Sequence, residues 1–302
     1  MKKLITGATG LVGSHLLLDL VKSGEKVRAL KRNNSNISFV KKLFHENKVL
    51  SYGEDLGEVV EWIDGDTLDI ASIENAMEGV DEVYHCAAIV SFHPGDAAEL
   101  MKINVEGTAN VVNVCLEKKI KKLCYVSSTA AVGKNKGNEL ITEKNKWRDG
   151  RTESQYSLSK HLSEVEVWRG IEEGLNAVIA NPCIIVGPGN WGKSSTDIFP
   201  KVWSGELKFY TEGGNAFVDV RDVSKAMIAL MKSEIHAERF LLTSENLPYK
   251  TFFEMVAENL GKPKAKIRVN SFLSELGWRA EIIRSKLLGK KALITKETAR
   301  AA

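Results

Sequence analysis

The segment Thr6-Gly7-Ala8-Thr9-Gly10-Leu11-Val12-Gly13 decides the fold predicted for this chain. It joins a short predicted strand, Lys3–Thr6, to Leu11–Lys22, where apolar residues recur at helical spacing. Glycine permits a tight turn and lets backbone N–H groups approach a pyrophosphate, and the following helix presents its positive N-terminal end to that anion. This position at the first strand–helix junction predicts a dinucleotide-binding loop rather than an ordinary turn. The glycines are spaced three and three, not the two and three of the commoner fingerprint.

Beyond this loop, short strand-like runs alternate with longer helical patterns. Such alternation predicts an α/β fold, with a doubly wound parallel sheet that carries helices on both faces. The further strands predicted in this part of the chain are Lys26–Lys31, Val59–Ile63, Glu82–Cys86, Leu123–Ser127 and Ala177–Ile185. The further helices predicted there are Ser38–Phe44, Ile70–Met77, Ala97–Glu117 and Ser154–Glu173.

The pattern loosens in the last third of the chain. Residues 1–186 are predicted to form the dinucleotide-binding domain, and 187–302 mainly a small C-terminal substrate lobe, with 217–245 returning to the first domain. Asp222 is the predicted cap of the helix that it begins. The elements predicted here are the strands Phe217–Val220 and Arg239–Leu242 and the helices Asp222–Met231, Phe252–Leu260 and Phe272–Leu288.

Composition narrows the class of protein. A chain of 302 residues with 43% hydrophobic and 27% charged residues fits an ordinary globular protein, and a net charge of +3 is too small to indicate a nucleic-acid partner. No window approaches the roughly 18 apolar residues of a membrane span, and the N-terminal apolar run is too short for a secretory signal. The four cysteines match no zinc or redox motif, so we expect a reduced, cytoplasmic protein with no metal site. The basic and apolar residues of 276–302 favour a helix packed on the lobe over a membrane-surface helix.

With its glycine loop and six later motifs, the chain resembles the extended short-chain dehydrogenase/reductase family, part of the NAD-dependent epimerase/dehydratase superfamily. The resemblance covers nearly the whole chain and implies a Rossmann fold. Among the branches it is greatest for dihydroflavonol-reductase-like and hydroxysteroid-dehydrogenase-like enzymes. The later motifs are Gly65-Asp66-Thr67-Leu68-Asp69, His85-Cys86-Ala87-Ala88, Asn104-Val105-Glu106-Gly107-Thr108, Val126-Ser127-Ser128, Tyr156-Ser157-Leu158-Ser159-Lys160 and Asn181-Pro182-Cys183-Ile184-Ile185-Val186-Gly187-Pro188.

The resemblance implies a dinucleotide held by the glycine loop and by the segments that follow the later strands. The residues that it implies are Gly7, Thr9, Gly10, Leu11, Val12 and Gly13 in the loop, Asp66 and Thr67 beside the adenine, Ala87 and Ala88 beside the adenosine ribose and phosphates, and Pro182 and Ile185 beside the nicotinamide.

The end of the second strand favours NADP over NAD. Family members that prefer NAD usually have an acid there to bind the ribose 2′-hydroxyl, whereas Arg28-Ala29-Leu30-Lys31-Arg32-Asn33 contains none. Arg32, together with Lys31, is expected to pair with a 2′-phosphate, which arginine does bidentately. A solvated basic loop is the alternative interpretation, and NAD is the alternative cofactor.

Tyr156 and Lys160 are the predicted acid–base pair. They are four residues apart on a predicted helix and therefore share one face. A free tyrosine has a pKa near about 10, and a neighbouring ammonium lowers it. A shift of about 3 units needs roughly 4 kcal/mol, which a lysine and a cationic nicotinamide ring are expected to supply in a dry pocket. By resemblance, Lys160 also holds the hydroxyls of the nicotinamide ribose.

Two further residues complete the group that the resemblance implies. Ser128 matches the family's catalytic serine or threonine, with Ser127 as the near alternative, and its hydroxyl is expected to donate to the substrate oxygen. Asn104 matches an asparagine that holds the helix and a proton-relay water, or else it only satisfies backbone groups. The implied reaction is hydride transfer, in which Tyr156 protonates the carbonyl oxygen during reduction and its phenolate acts as the base during oxidation.

The segments near the predicted pocket argue for a mostly apolar substrate. Sugar-nucleotide members of the family usually carry an arginine just before the segment Phe217–Asp222, but this chain has Gly213-Gly214-Asn215-Ala216 there. Dehydratases commonly follow the serine with an acidic pair, which Thr129-Ala130-Ala131-Val132-Gly133 lacks. The candidate pocket groups are Val90, Phe92, Trp191, Phe199 and Trp203.

Three functions stay open at this stage. The leading one is an NADP-dependent alcohol dehydrogenase or ketone reductase that acts on a small molecule. The others are a nucleotide-sugar epimerase and a non-catalytic NADP-sensing protein, although such sensors usually lose the tyrosine or the lysine. The resemblance also implies a homodimer formed through the helices that bear Asn104 and Tyr156.

Overall fold

A computed structural model describes residues 1–51, 53–133, 140–147, 153–190, 194–270, 275, 278, 279 and 284. Its strands are β1 (Lys2–Thr6), β2 (Lys26–Lys31), β3 (Glu61–Asp64), β4 (Glu82–His85), β5 (Lys122–Val126), β6 (Ala177–Pro182), β7 (Ile184–Val186), β8 (Phe209–Tyr210), β9 (Gly214–Asp219), β10 (Glu238–Leu242), β11 (Glu245–Pro248) and β12 (Ile267–Arg268). Its helices are α1 (Leu11–Lys22), α2 (Ser38–Glu46), α3 (Ile70–Ala76), α4 (Ala97–Leu100), α5 (Gly107–Glu117), α6 (Gln155–Glu172), α7 (Ile198–Trp203), α8 (Val220–Lys232) and α9 (Tyr249–Asn259).

The central sheet is parallel and, within the described ranges, has seven strands in the order β10-β6-β5-β4-β1-β2-β3. The strand order reverses between β1 and β4, so a crevice opens outside the carboxyl ends of these two strands. In sheets of this kind, ligands bind at that reversal point. The predicted Rossmann-like, doubly wound fold is therefore confirmed.

Alternation along the strands produces two apolar layers. Leu4 and Ile5 are consecutive in β1, and they pack into different clusters on opposite faces of the sheet. The cluster of Ile5 includes residues of α1 and α8, while the cluster of Leu4 includes residues of α3, α5 and α6. Tyr125, in β5, faces the second layer and so lies toward α5 and α6.

A third, smaller core holds the C-terminal elements together. The rings of Phe217 in β9 and Phe252 in α9 stack with centroids 4.0 Å apart. Strands β11, β9 and β7 form a separate small sheet beside them. From the stretch predicted to return to the first domain, β10 pairs with β6 at the edge of the central sheet. The division of the chain at residue 186 stays a prediction.

The structure corrects three predictions of local structure. Ala177–Ile185 is not one strand, because β6 ends at Pro182, which has no N–H to continue the ladder, and β7 joins the small sheet instead. The long helix Ala97–Glu117 is interrupted by a π-helical segment over Met101–Glu106. Asp222 does not cap α8; the cap is Asp219, whose carboxylate accepts from the backbone N–H of Arg221 at 2.8 Å.

Several elements were not predicted. They are α7, β8, β11 and β12, all beyond residue 190 and all six residues or shorter. The predicted helix Phe272–Leu288 lies almost wholly outside the described residues. None of the helices in the part of the chain that the structure describes has the length and apolar character that a membrane span needs.

The glycine loop is held tightly between β1 and α1. A Cβ atom on Gly13 would lie 2.2 Å from the carbonyl oxygen of Gly7 and 2.9 Å from the Cα atom of Ala8. A Cβ atom on Gly10 would meet the same carbonyl oxygen at 3.2 Å, a far milder contact. The first turn of α1 can pack this closely on the loop only because residue 13 has no side chain.

This packing predicts different costs for two neighbouring substitutions. Gly13→Ala should lower the free energy of unfolding by about 1–3 kcal/mol, because backbone atoms must move apart to admit the methyl group. Gly10→Ala, the matched control in the same loop, should cost clearly less. Urea unfolding followed by circular dichroism measures both, and equal stability of the two variants would contradict the close packing described for Gly13.

Candidate active site

The predicted cofactor residues of the glycine loop meet the segment after β4. Gly7 has a φ of 68°, in the left-handed region that favours glycine. A Cβ atom there would lie 2.6 Å from the backbone nitrogen of Ala87. The loop is closed by a hydrogen bond from the Gly10 N–H to the Gly7 carbonyl at 2.9 Å, and no side chain caps α1. The first N–H groups of α1 are therefore left for an anion.

A cavity of about 340 Å³ lies at the carboxyl ends of β2 and β3. Arg32 is exposed there, and its guanidinium makes no hydrogen bond or ion pair with the described part of the chain. Lys31, by contrast, is paired with the carboxylate of Asp64. The residues that line the cavity are Arg32, Asn33, Asp64, Gly65, Asp66, Asp69 and Ser72.

The two residues predicted beside the adenine point in different directions. Asp66 lines the cavity, and its carboxylate accepts from the Leu68 N–H at 3.0 Å. Thr67 is buried; a Cβ atom on Gly107 of α5 would meet its hydroxyl at 2.8 Å, and its carbonyl accepts from the Asn110 amide at 3.0 Å. Thr67 thus packs against α5 and does not line the cavity.

Helix α6 presents Tyr156 and Lys160 at the carboxyl edge of the sheet. Ser154 caps this helix by accepting from the Ser157 N–H at 3.0 Å. Tyr156, in the first turn, is half-buried, while Lys160, one turn later, is only 2% exposed. The Lys160 ammonium donates to the carbonyl of Val126, the last residue of β5, at 2.9 Å.

The electrostatics of Tyr156 differ from expectation. Burial raises its pKa, and this outweighs the Lys160 charge and hydrogen bonding by Ser128, which both lower it. In the protein without a bound cofactor the net shift is therefore upward, and the lowering by Lys160 together with a cationic nicotinamide ring stays a prediction. Burial also lowers the pKa of Lys160, although Tyr156 and Glu164 act against that shift.

The structure distinguishes the two serines after β5. Ser127 is buried, and its hydroxyl donates to the Glu164 carboxylate at 2.7 Å, so it is not free to contact a substrate. Ser128 is half-buried, its hydroxyl acts to lower the pKa of Tyr156, and it caps a short turn by accepting from the Ala130 N–H at 3.1 Å. Of the two, Ser128 has the placement that the prediction requires.

Asn104 lies in the π-helical segment between α4 and α5, and its side chain is fully buried. Its amide oxygen accepts from the Ile89 N–H at 2.8 Å. Its amide nitrogen donates to the Ile89 carbonyl and to the Ser159 hydroxyl, each at 3.0 Å. Both amide hydrogens are thus used to join this segment to α6 and to the chain after β4, and the role of Asn104 beside a relay water stays a prediction.

Glu164 was missed by the sequence analysis. This carboxylate, only 2% exposed, lies one turn beyond Lys160 on α6 and accepts from Asn181 at 2.7 Å and from Arg239 at 3.0 Å. The Asn181 amide also donates to the Ser128 carbonyl at 3.0 Å. Glu164 therefore fixes the position of Ser128 relative to the tyrosine and the lysine. Its spacing of four from Lys160 was the one signal for it in the sequence.

The candidate substrate-pocket residues separate into different regions. The ring of Phe92 packs edge-on against the ring of Tyr156, with centroids 5.5 Å apart. Val90 is exposed in the same segment, whereas Phe199 packs on the third core. Trp203 is on the surface, with the Lys262 ammonium 4.0 Å from its ring centroid. The remaining candidate, residue 191, lies outside the described residues.

The nicotinamide candidates lie where β6 passes into β7. Pro182 is buried at the end of β6, and Ile185, in β7, packs partly buried against the first core. This crossing from the central sheet to the small sheet lies next to the Ser128 carbonyl, which Asn181 holds. In the residues that the structure describes, no group of three or more His, Cys, Asp or Glu side chains is arranged to hold a metal ion.

Comparison with known proteins identifies relatives of the whole fold. The chain is 31% identical over 277 residues to sterol demethylase protein B of Methylococcus capsulatus. This alignment covers 89% of this chain and 77% of that protein. It is 26% identical to a putative dihydroflavonol 4-reductase of Synechocystis, over 89% of this chain and 75% of that protein. The solved structure of gox2253 superposes with a TM-score of 0.80 and 28% identity, covering 99% of this chain and 87% of that one.

A family model identifies the family. The model described as "NAD dependent epimerase/dehydratase family" matches residues 3–242, from β1 through β10. The match includes the glycine loop, both serines, Tyr156 and Lys160. The family resemblance predicted from the sequence is confirmed: the chain belongs to the NAD-dependent epimerase/dehydratase family.

Proposed function

We propose that this protein is an NADP-dependent oxidoreductase that transfers a hydride between nicotinamide and the carbonyl or secondary alcohol carbon of a mostly apolar small molecule. The observation that carries the proposal is the grouping of Ser128, Tyr156 and the buried Lys160 ammonium at the end of β5, on the edge of the sheet that also carries the glycine loop. The reductase names of its relatives support the same class of reaction.

The residues around the crevice fit a dinucleotide. The Gly7 position leaves no room for a side chain, and the N-terminus of α1 offers uncapped N–H groups to a pyrophosphate. Arg32 would meet the adenosine end at the cavity that it lines. When bound, the nicotinamide would supply or accept the hydride.

The protein's own side chains manage the proton at the substrate oxygen. Ser128 would donate a hydrogen bond to that oxygen and hold it beside Tyr156, which gives up its proton in reduction. The raised pKa keeps Tyr156 protonated near neutral pH, which suits reduction. Oxidation requires the phenolate, so its rate should rise with pH, and the Lys160 ammonium favours this charged form.

The adenosine end favours NADP in this proposal. Arg32 has no partner among the described side chains, and a 2′-phosphate would provide one. Asp64 is the acid that pairs with the end of β2, and its carboxylate is bound to the Lys31 ammonium, with which a ribose hydroxyl would have to compete.

The apolar substrate class rests on Phe92 and on the stretch 213–216, which contains no basic residue where sugar-nucleotide relatives usually have one. The Phe92 ring packs on Tyr156 and gives that side of the pocket an apolar wall. Arg221 is the first cation that follows the Gly213–Ala216 stretch, and it is engaged with both oxygens of Asp219 at 2.8 and 2.6 Å. A nucleotide-sugar epimerase is therefore the less favoured alternative. The homodimer stays a prediction.

The first test separates a catalyst from a cofactor sensor. Tyr156→Phe should lower turnover of a carbonyl panel with NADPH by about 10²–10⁴-fold, because the proton donor is lost. The affinity for NADPH, measured by fluorescence titration, should change less than about twofold. Ser128→Ala should lower turnover by about 10²-fold, whereas Ser127→Ala should mainly reduce stability. Undiminished turnover in Tyr156→Phe, or conversion of UDP-sugars without release of NADP(H), would contradict the proposal.

The second test concerns the 2′-phosphate. Arg32→Ala should weaken NADPH binding by about 10-fold or more, since a hydrogen bond to a charged group contributes about 1.5–3 kcal/mol, and should leave NADH binding unchanged. Lys41→Ala is the charge-matched control, because Lys41 is exposed on α2 and does not line the cavity. Tighter binding of NADH than NADPH by the unmodified protein would show that the role given to Arg32 is wrong.

A further inference from the structure

A second tyrosine, Tyr125 in β5, accepts a hydrogen bond from the Lys160 ammonium. The ammonium donates to the hydroxyl of Tyr125 at 2.8 Å, in addition to the Val126 carbonyl, and lies 4.6 Å from the centroid of the Tyr125 ring. Tyr125 is only 1% exposed. An ammonium has three N–H donors, and β5 accepts two of them. One donor is therefore left for the open side of the site, where Tyr156 lies.

The Tyr125 hydroxyl is itself fixed by neighbours. It accepts from Lys160, so its own hydrogen must go to another oxygen. The hydroxyls of Ser163 and Thr108 both lower the pKa of Tyr125 and so lie near its hydroxyl. Ser163 donates its hydrogen to the Ser159 carbonyl at 2.7 Å, so its oxygen is left as an acceptor. The hydrogen of Tyr125 thus has a neighbouring acceptor, which leaves a lone pair of Tyr125 for the ammonium.

Further buried groups connect this hydroxyl with the glycine loop. The His85 ring stacks on the Tyr125 ring with centroids 5.4 Å apart, and its Nε2 lies 3.0 Å from the Thr108 hydroxyl. Its Nδ1 lies 2.6 Å from the hydroxyl of Thr6, which also accepts from the Ala87 N–H at 3.3 Å. Ring stacking and hydrogen bonds thus connect the Tyr125 side chain through His85 and Thr6 to the segment that would contact the dinucleotide.

We propose that Tyr125 is a positioning residue, whose hydroxyl holds the Lys160 ammonium where it stabilises the Tyr156 phenolate. The effect of Tyr125 on the reaction rests on the proposed function. Its effect on the position of Lys160 rests on the observed contacts of Tyr125 alone. Tyr125 acts through Lys160 and does not itself contact the reacting atoms.

The other ionisable groups around Lys160 cannot take this role. On β4, burial lowers the pKa of His85 to about 3 and raises that of the neighbouring Cys86 thiol, so both are neutral. On α6, the Glu164 carboxylate is already paired with Arg239. Burial raises the pKa of Tyr125, which therefore stays a neutral phenol.

Tyr125→Phe removes the hydroxyl and keeps the ring. The ammonium then loses an acceptor and is free to move, and both changes weaken its stabilisation of the phenolate, so the Tyr156 pKa should rise by about 0.5–1 unit. We expect kcat/KM for alcohol oxidation with NADP⁺ to fall about three- to tenfold below that pKa, and its pH break to move upward. The alkaline plateau should change less than about twofold.

Tyr84→Phe is the matched control. Tyr84 is a fully buried tyrosine on the adjacent strand β4, and its hydroxyl has no hydrogen-bond partner in the described part of the chain. Its pH profile should superimpose on that of the unmodified protein. A merely structural role of Tyr125 would lower kcat/KM equally at every pH, and that result, or an unchanged profile, would overturn the proposal.

A second measurement needs no turnover. The ultraviolet absorbance of phenolate, taken as the difference between a protein and its Tyr156→Phe counterpart, reports the titration of Tyr156 alone. In the Tyr125→Phe background this titration should occur at higher pH, and an identical titration would overturn the role of Tyr125. If the unmodified protein turns over no alcohol with NADP⁺, the proposed function fails, while this titration still decides about Tyr125.

Discussion

The buried ammonium of Lys160 is the constraint around which the site is arranged. A charged group this deep would cost several kcal/mol if it were unpaired, so its acceptors must be provided by rigid elements. The Val126 carbonyl and the Tyr125 hydroxyl provide them from β5, which lies between β6 and β4 in the central sheet. The same charge lies one helical turn below Tyr156, where it opposes the effect of burial on that hydroxyl. In the proposed function, the stability of the site and its chemistry therefore depend on the same buried charge.

A second buried charge, Glu164, fixes the elements around the first. Its carboxylate receives hydrogen bonds from Ser127 on the β5 side, from Asn181 in β6 and from Arg239 in β10. Arg239 also donates to the carbonyls of 143 and 145, which follow Ser128 along the chain. The chain returns from the small sheet to β10, and Arg239 of that strand thereby reaches Glu164 on α6. Helix α6 cannot shift without breaking these contacts.

Much of the fold and part of the candidate site could be predicted from the sequence, because the signals for them were local or periodic. The glycine loop, the parallel strands and the Tyr156–Lys160 pair follow from spacings of a few residues. The break at Pro182 and the cap at Asp219 depend on how the chain leaves one sheet for another, which no periodicity encodes. Tyr125 appeared as one more apolar strand residue, because its partner Lys160 is 35 residues away in the sequence. The net effect of burial on Tyr156 likewise required the surrounding structure.

The most direct test of the central claim is the pH dependence of single-turnover hydride transfer in Lys160→Met at saturating NADP⁺. The substitution removes the charge and keeps much of the side-chain volume. We expect the rate of alcohol oxidation near neutral pH to fall by more than about 10²-fold and the ionisation of Tyr156 to move to higher pH, because burial then acts unopposed. A rate and a pH profile equal to those of the unmodified protein would contradict the claim that the buried ammonium controls the proton on Tyr156.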